Sequence, residues 1–428
     1  MFELFFNSKR VVNSLWMMSE KIISLFGLVF VTSYVAKYIG PEDFGKLTYA
    51  TTLFGIIRVF AMLGLDDVFF QKIGKNRVQG EKLILASGLV RDLIFFLISI
   101  LFLLFVFFYT DHITLLFSVA ACISVFFSTK DIFSIYFDAI LKSKINTFCN
   151  VIGLLLSLTL RYFIVCFSLP VEFLCLPIVS VSFIPYLIRL CVFKKNRVSE
   201  RNISKHMVRK YRRYVFLIGK QMLLYSLSVQ IFIRTSQFFL GNKSSYDLGI
   251  YAIASNIGFG FYFVFSSIIV SFVSGIYESR VIKNKRYIYV KTLVIISLLF
   301  SLIFSLLVVF DVRIIDFLYG EKYRLSVEII PVLSLACFFA GINTLNEKYI
   351  MSFSGYSYLK KKTMCLVLIN VFLSYILIHY YGFIGAAYAT LITEFLSMTI
   401  FSYFFNSNEI FKAQLHVFYI LKGMKTGK

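Results

Sequence analysis

The sequence is poor in the residues that soluble enzymes and secreted proteins rely on. Only 15% of its 428 residues are charged, with 22 acidic against 44 basic, and it holds four histidines, five prolines and one tryptophan. Low charge with high apolarity excludes a disordered chain, and few glycines and prolines exclude a collagenous or low-complexity one. The seven cysteines (Cys122, Cys149, Cys166, Cys175, Cys191, Cys337, Cys365) form no CxxC pair and lie mostly in apolar stretches, so packing is their expected role. A Cys166–Cys175 bridge across one short loop stays open. His112, His206, His379 and His416 have no ligand spacing, so no metal site is expected. No Ser-His-Asp set, carboxylate pair or acidic cluster sits in a loop large enough for a catalytic domain, so no enzyme is expected.

What is abundant is apolar. Hydrophobic residues make up 59% of the chain, aromatics 18%, and the mean hydropathy is +0.82. Soluble domains run to about 45–50% apolar and about 25% charged. The chain therefore reads as an all-α polytopic membrane protein. A net charge of +22 would suggest nucleic acid in a soluble protein. Here the basic residues fall in loops on alternate sides of apolar runs, so no nucleic-acid partner is expected. The apolar run from Val11 onward is too long for a signal peptide and has no small-residue cleavage site, so it reads as the first span.

Hydropathy and breaker residues predict twelve helices: 14–37, 46–69, 83–108, 114–137, 147–168, 173–193, 214–240, 248–275, 291–310, 325–350, 363–380 and 386–405. Counting lysines and arginines in the connections places thirty on one side, with both termini, and six on the other. By the positive-inside rule the basic side is cytoplasmic. The most basic connection, 194–213, divides the chain into an N-terminal six-helix bundle (1–213, with 194–213 as a cytoplasmic linker) and a C-terminal one (214–428, ending in a cytoplasmic tail). A weak repeat supports the division: Asp43-Phe44-Gly45 aligns with Asp247-Leu248-Gly249 at an offset of 204. Parallel repeats of this kind suggest two pseudo-symmetric bundles around a central cavity.

GPEDFGK (40–46) imitates part of a phosphate-binding loop, but Leu47 stands where Ser or Thr would hold magnesium, and no strand precedes it. A tight turn is expected instead, with Pro41 fixing φ and Gly45 permitting φ > 0 or close packing. Pro177, Pro185 and Pro331 are expected to kink their helices. Gly385, Ala386, Ala387 and Ala389 are expected to pack closely against a neighbouring helix.

The charges inside spans carry the most information, because a charge at the bilayer centre costs at least about 2.5–3.5 kcal/mol unless it faces a wet cavity or a partner. Arg58 lies mid-span, too deep for easy snorkelling. Arg161 and Arg234 lie in the outer halves of their helices, and Lys21, Arg91, Lys130 and Lys220 in the inner halves. All seven are candidate cations of the cavity. Lys348, near a helix end, reads as an anchor. Glu394 is an isolated deep carboxylate that either pairs with an arginine or carries a proton. Asp131 shares the ion-coupling or ion-pair reading, and no cofactor is expected.

Four stretches in order, YIGPEDFGKLTYATTL (38–53), LGNKSSYDLGIYAIASNI (240–257), YGEKYRLS (319–326) and YGFIGAAYATLITEF (381–395), resemble signatures of the polysaccharide flippases of the multidrug/oligosaccharidyl-lipid/polysaccharide exporter superfamily. In length and span count the chain is most similar to the Wzx-type O-antigen flippases. That resemblance implies two six-helix bundles with a cavity opening alternately to each side of the bacterial inner membrane. It implies as cargo an undecaprenyl-pyrophosphate-linked oligosaccharide, with membrane lipids around the chain and contact with polysaccharide polymerase machinery left open. Proton or sodium gradient coupling also stays open. The competing reading, a multidrug-type cation-coupled exporter of the same fold, would be expected to show acidic rather than basic intramembrane residues.

Overall fold

A computed structural model describes residues 9–198, 205–279, 281–406 and 408–415, so the linker stretch 199–204 and the tail from His416 onward lie outside the described residues. Within the first helix some side chains, that of Lys21 among them, also lie outside the description. Among the described residues there is no strand.

The order of helices is α1 (Lys9–Met62), α2 (Asp66–Lys75), α3 (Arg77–Tyr109), α4 (His112–Lys130), α5 (Phe133–Ala139), α6 (Ser143–Cys166), α7 (Cys175–Asn196), α8 (Lys205–Lys243), α9 (Ser245–Gly258), α10 (Tyr262–Glu278), α11 (Ile282–Leu318), α12 (Ile330–Met351), α13 (Tyr356–Met398) and α14 (Ile400–Tyr403). Two of these are pairs of spans joined by a sharp break. Gly40, at φ 80°, interrupts α1 just before Pro41, and Gly382, at φ 56°, interrupts α13. With those breaks counted, and α9 and α10 taken as one span, the chain crosses twelve times. It is a multi-pass membrane protein. The turn expected of GPEDFGK is present, but the positive φ falls on Gly40 while Gly45 is helical, since the residue before proline is the one driven out of the α region.

The helices are inside-out relative to soluble ones. On α3 the exposed face carries Leu89, Leu93, Leu97, Ile100 and Leu104, while Ile84, Ser87, Arg91, Phe95 and Ser99 point inward. Apolar exposure on that scale suits hydrocarbon rather than water. At 1.5 Å per residue, α3 is roughly 50 Å long and outreaches the roughly 30 Å hydrocarbon core.

The chain divides into two compact units, residues 1–231 and 232–428. Each contains the same order of elements, two spans joined at a break and then four more. The break at Gly40 in the first recurs at Ser244 in the second, at the offset of 204 that aligned the motifs. Ser244 caps α9 by accepting from the Asp247 N–H at 3.1 Å. The division falls within α8 because its first half packs into the first unit. Val215 joins that unit's core with Leu65, Phe69, Ile73, Phe133, Tyr136 and Phe193, and Gly219 sits against Leu63.

Several expectations need correcting. Pro331 and Pro177 lie in the first turns of α12 and α7, where a missing N–H leaves no helical hydrogen bond broken, so neither is a mid-helix kink. Only Pro185 lies in a helix interior, against Gly153 of α6. The second span stops at Met62 rather than 69, because Leu63 (φ 53°) and Gly64 (φ 63°) turn the chain, and this puts Arg58 one turn from the end of its helix rather than mid-span. Cys166 and Cys175 are free thiols. Residues 409–415, taken as tail, dock on the second unit: Glu409 binds Arg286 through two hydrogen bonds (2.8 and 2.6 Å), and Ile410 and Ala413 are fully buried. Hydrogen bonds from Arg286 hold the Glu409 carboxyl below the usual carboxylate range, aided by one from the Tyr349 hydroxyl. The small residues Gly385, Ala386, Ala387 and Ala389 are all buried as expected. Lys46, the lysine of the false phosphate loop, is held by Glu42 (3.1 Å), Asp43 (3.3 Å) and Asp111 (3.1 Å), which leaves it no phosphate-binding part.

Candidate functional site

The fourth span breaks at Ser128-Thr129-Lys130-Asp131, and each of these four residues is gripped by a different charged side chain. Arg58 Nε donates to Ser128 Oγ at 3.1 Å, and Arg91 Nη1 donates to the Thr129 carbonyl at 2.6 Å. Lys130 Nζ donates to Asp92 Oδ2, and Arg189 Nη1 donates to Asp131 Oδ2. The last carbonyls of a helix have no intrahelical partners, and cations near them are favoured by the helix dipole. Arg91 meets that need while lying 5.9 Å from the Phe69 ring centroid. Arg189 is satisfied further by Asn146 Oδ1 at 2.9 Å and by Asn150 Oδ1.

Burial sorts these cations. Arg91 and Arg189 are enclosed, and Lys130 is half-buried against Asp92. Arg58 keeps 39% of its side chain exposed, and its only ion-pair contact among the described residues is Asp66, at 3.9 Å. Of the cluster's cations it is the most exposed, with unused donors.

The remaining sequence candidates fall elsewhere. Arg161 lines a small, mostly apolar cavity in the first unit with Thr32, Val35, Phe44, Leu47, Leu174 and Ile178, and it has no hydrogen-bond or ion-pair partner among the described residues. Lys220 is exposed on α8, and Arg234 is half-buried in the second unit. The side chain of Lys21 lies outside the described residues. The structure thus brings together Arg58, Arg91, Lys130 and Asp131, and leaves Arg161, Lys220 and Arg234 outside that group.

The second unit holds its own polar cluster. Glu394 is buried with Oε2 lacking a hydrogen-bond partner, and its charged neighbours are Glu347 and Lys362. Lys362, also buried, donates to Asn343 Oδ1 at 2.6 Å and Ser402 Oγ at 3.0 Å, and Asn343 Nδ2 donates to Glu347 Oε1 at 3.3 Å. Both carboxylates thus act on the ammonium electrostatically, with neither in an ion pair with it among the described residues. Sequence reasoning missed Arg189, Lys362 and Glu347, having counted the first two as loop cations. Helical periodicity carries the missing signal: Asn146, Asn150, Gly153, Ser157 and Arg161 make one polar stripe, and Lys362, Asn370 and Ser374 make another.

A family model described as "Polysaccharide biosynthesis protein" matches residues 11–277. No curated protein sequence matches significantly. Among solved structures, the chain is similar to a lipid II flippase MurJ in an inward closed conformation, with 17% identity, a TM-score of 0.67, and coverage of 98% of this chain and 93% of that one. It is similar to an inward-facing multidrug resistance MATE family transporter of the MOP superfamily, at 14% identity and a TM-score of 0.64 over 89% and 93% of the two chains. It also matches a Vibrio cholerae MATE transporter, VcmN in the bent form, at 13% identity and a TM-score of 0.53 over 95% and 99%. At these identities the likeness is one of fold, the twelve-span, two-lobed fold of those transporters.

Proposed function

Because the chain belongs to the polysaccharide biosynthesis protein family, we propose that it translocates an undecaprenyl-pyrophosphate-linked oligosaccharide, an O-antigen or similar repeat unit, from the cytoplasmic to the periplasmic leaflet of the bacterial inner membrane. Both termini face the cytoplasm in this reading, in keeping with the thirty-to-six basic bias. Transport proceeds by alternating access along a cation-lined path. One observation carries the assignment: Arg58, one turn before its span ends at Met62, is half-exposed with unused donors. A pyrophosphate entering low dielectric loses hydration, and an arginine fork replaces it with two charge-assisted hydrogen bonds. Arg161, Arg234, Lys220 and Lys21 add to the positive field in this reading. Arg91 and Lys130 contribute by holding the break beside Arg58.

Glu394, with Glu347 and Lys362, supplies the coupling site for a proton or sodium ion. The buried Glu394, the half-buried Glu347 and the Lys362 ammonium together carry an excess negative charge that one monovalent cation neutralises. The competing reading, export of cationic drugs, draws on the MATE likeness but leaves the basic residues of the first unit without a role. Gene deletion separates the two. Lipid-linked oligosaccharide accumulating on the cytoplasmic leaflet, with surface polysaccharide lost, is expected; unchanged distribution of that lipid would overturn the assignment.

A further inference from the structure

Between Arg58 and Asp66 the chain makes a sharp break. Leu63 and Gly64 both take positive φ, 53° and 63°, and only then does α2 begin at Asp66. A β-branchless but full-sized leucine in that region is strained. Gly64 fits because a Cβ there would stand 2.3 Å from Ser226 Oγ. The break is thus pinned against α8, and it holds Asp66 near Arg58 without joining them: the 3.9 Å separation is too long for a hydrogen bond. Asp66 Oδ1 is buried with no hydrogen-bond partner.

Asp66 has somewhere else to go. It begins a helix of ten residues, and carboxylates in a first turn are favoured by the helix dipole. It also acts electrostatically on Arg91, whose Nε is buried without a hydrogen-bond partner. The other carboxylates of the group are committed, Asp92 to Lys130 and Asp131 to Arg189. Arg58 feels the Asp131 charge as well, but that carboxylate is fixed by its own guanidinium.

We propose that Asp66 is a displaceable counter-ion, holding the place of the cargo phosphate at Arg58 and yielding it when the pyrophosphate arrives. The inference rests on the reading of Arg58 as the phosphate ligand. In the empty protein the carboxylate neutralises a cation that has no other ion-pair partner among the described residues. With cargo bound, Asp66 transfers to the α2 N-terminus and Arg91. When the cargo leaves, it returns and shuts the site to stray anions. Asp66 is therefore a positioning and specificity residue, acting on the cargo through Arg58.

The test measures binding of undecaprenyl pyrophosphate to the purified full-length chain in nanodiscs, for wild type, Asp66→Asn, Asp66→Glu, Arg58→Ala and the Asp66→Asn/Arg58→Ala pair. A half-exposed ion pair contributes up to about 1 kcal/mol, so Asp66→Asn should tighten binding by about three- to fivefold. Asp66→Glu keeps the carboxylate and should stay within about twofold of wild type. The gain should vanish when Arg58 is also replaced, which a purely structural Asp66 would not produce. If Arg58→Ala weakens binding but Asp66→Asn leaves it unchanged or weaker, with Asp66→Glu monodisperse and near wild type, the counter-ion idea fails and the Arg58 reading stands. If Arg58→Ala binds as wild type does, the underlying reading fails and takes the counter-ion with it.

Discussion

Arg189 of α7 and Asp131 at the end of α4 form an ion pair whose side chains are only 3% and 9% exposed. Asn146 and Asn150 complete the guanidinium's hydrogen bonds from a third helix. The pair therefore holds the broken end of the fourth span against the fifth and sixth, and leaves the neighbouring Arg58 as the cation able to meet an outside ligand.

Removing one partner of such a pair leaves the other buried and uncompensated. Arg189→Ala should destabilise the protein by about 3–5 kcal/mol and lower its abundance in the membrane. Replacing both residues with apolar ones of similar volume should restore much of the abundance. Immunodetection in membrane fractions checks both outcomes.

Arg58 should behave in the opposite manner. Arg58→Ala should leave abundance near wild type and lose most surface polysaccharide, while Arg58→Lys, which keeps a point charge but not the fork, should retain part of it. Abundance and polysaccharide measured on the same cells distinguish this from a structural role. Normal levels of both in Arg58→Ala would remove the residue from the mechanism.

Twelve spans were legible because hydropathy and turn residues report where a chain enters and leaves a membrane. Glu394 was legible for a related reason, standing alone deep in an apolar run, and Arg58 was legible as a charge in such a run but not at its true depth, because the turn at Leu63 and Gly64 ends its helix four residues later. Arg189 was not, because its partners Asp131, Asn146 and Asn150 lie about forty to sixty positions away on other helices. Lys362 was mistaken for a loop residue because α13 begins at Tyr356, a full turn and more before the apolar run. Hydropathy gives depth along a helix; which face a charge occupies depends on packing between helices. The docking of residues 409–415 was hidden likewise, since its contacts reach back to Arg286 and Tyr349.

The break at Gly382 folds the last two spans so tightly that a Cβ on Gly385 would stand 2.0 Å from the Leu377 carbonyl oxygen. Gly385→Ala should therefore cost about 1–3 kcal/mol, whereas Gly88→Ala, where a Cβ meets nothing within 4 Å, should not. Thermal unfolding of the two purified variants makes the comparison. Equal midpoints would contradict the packing account.

Docking of residues 409–415 should depend on acid. The Glu409 carboxyl lies below its ordinary range in the folded protein because of hydrogen bonds from Arg286 and Tyr349, so its stabilisation is fully present at neutral pH. That stabilisation is lost as pH falls through the lowered value. A fluorophore at Lys412 should report release of the segment on acidification, and Glu409→Gln should release it at neutral pH. A signal insensitive to both would show that apolar burial of Ile410 and Ala413 alone holds the segment.

Glu394→Gln should uncouple transport from the ion gradient without weakening cargo binding, because the carboxylate belongs to the second unit and Arg58 to the first. Translocation rates measured with and without an imposed proton or sodium gradient test this. A variant that still responds fully to the gradient would move coupling to another group.

Movement of a lipid-linked pyrophosphate across a bilayer through Arg58 is measurable in proteoliposomes containing the purified protein and a fluorescent undecaprenyl-pyrophosphate oligosaccharide, read by quenching of the outer leaflet over time. Exchange between leaflets should depend on the protein and fall to the protein-free rate in Arg58→Ala. Exchange no faster than in protein-free vesicles for wild type, or equally fast in Arg58→Ala, would contradict transport through Arg58.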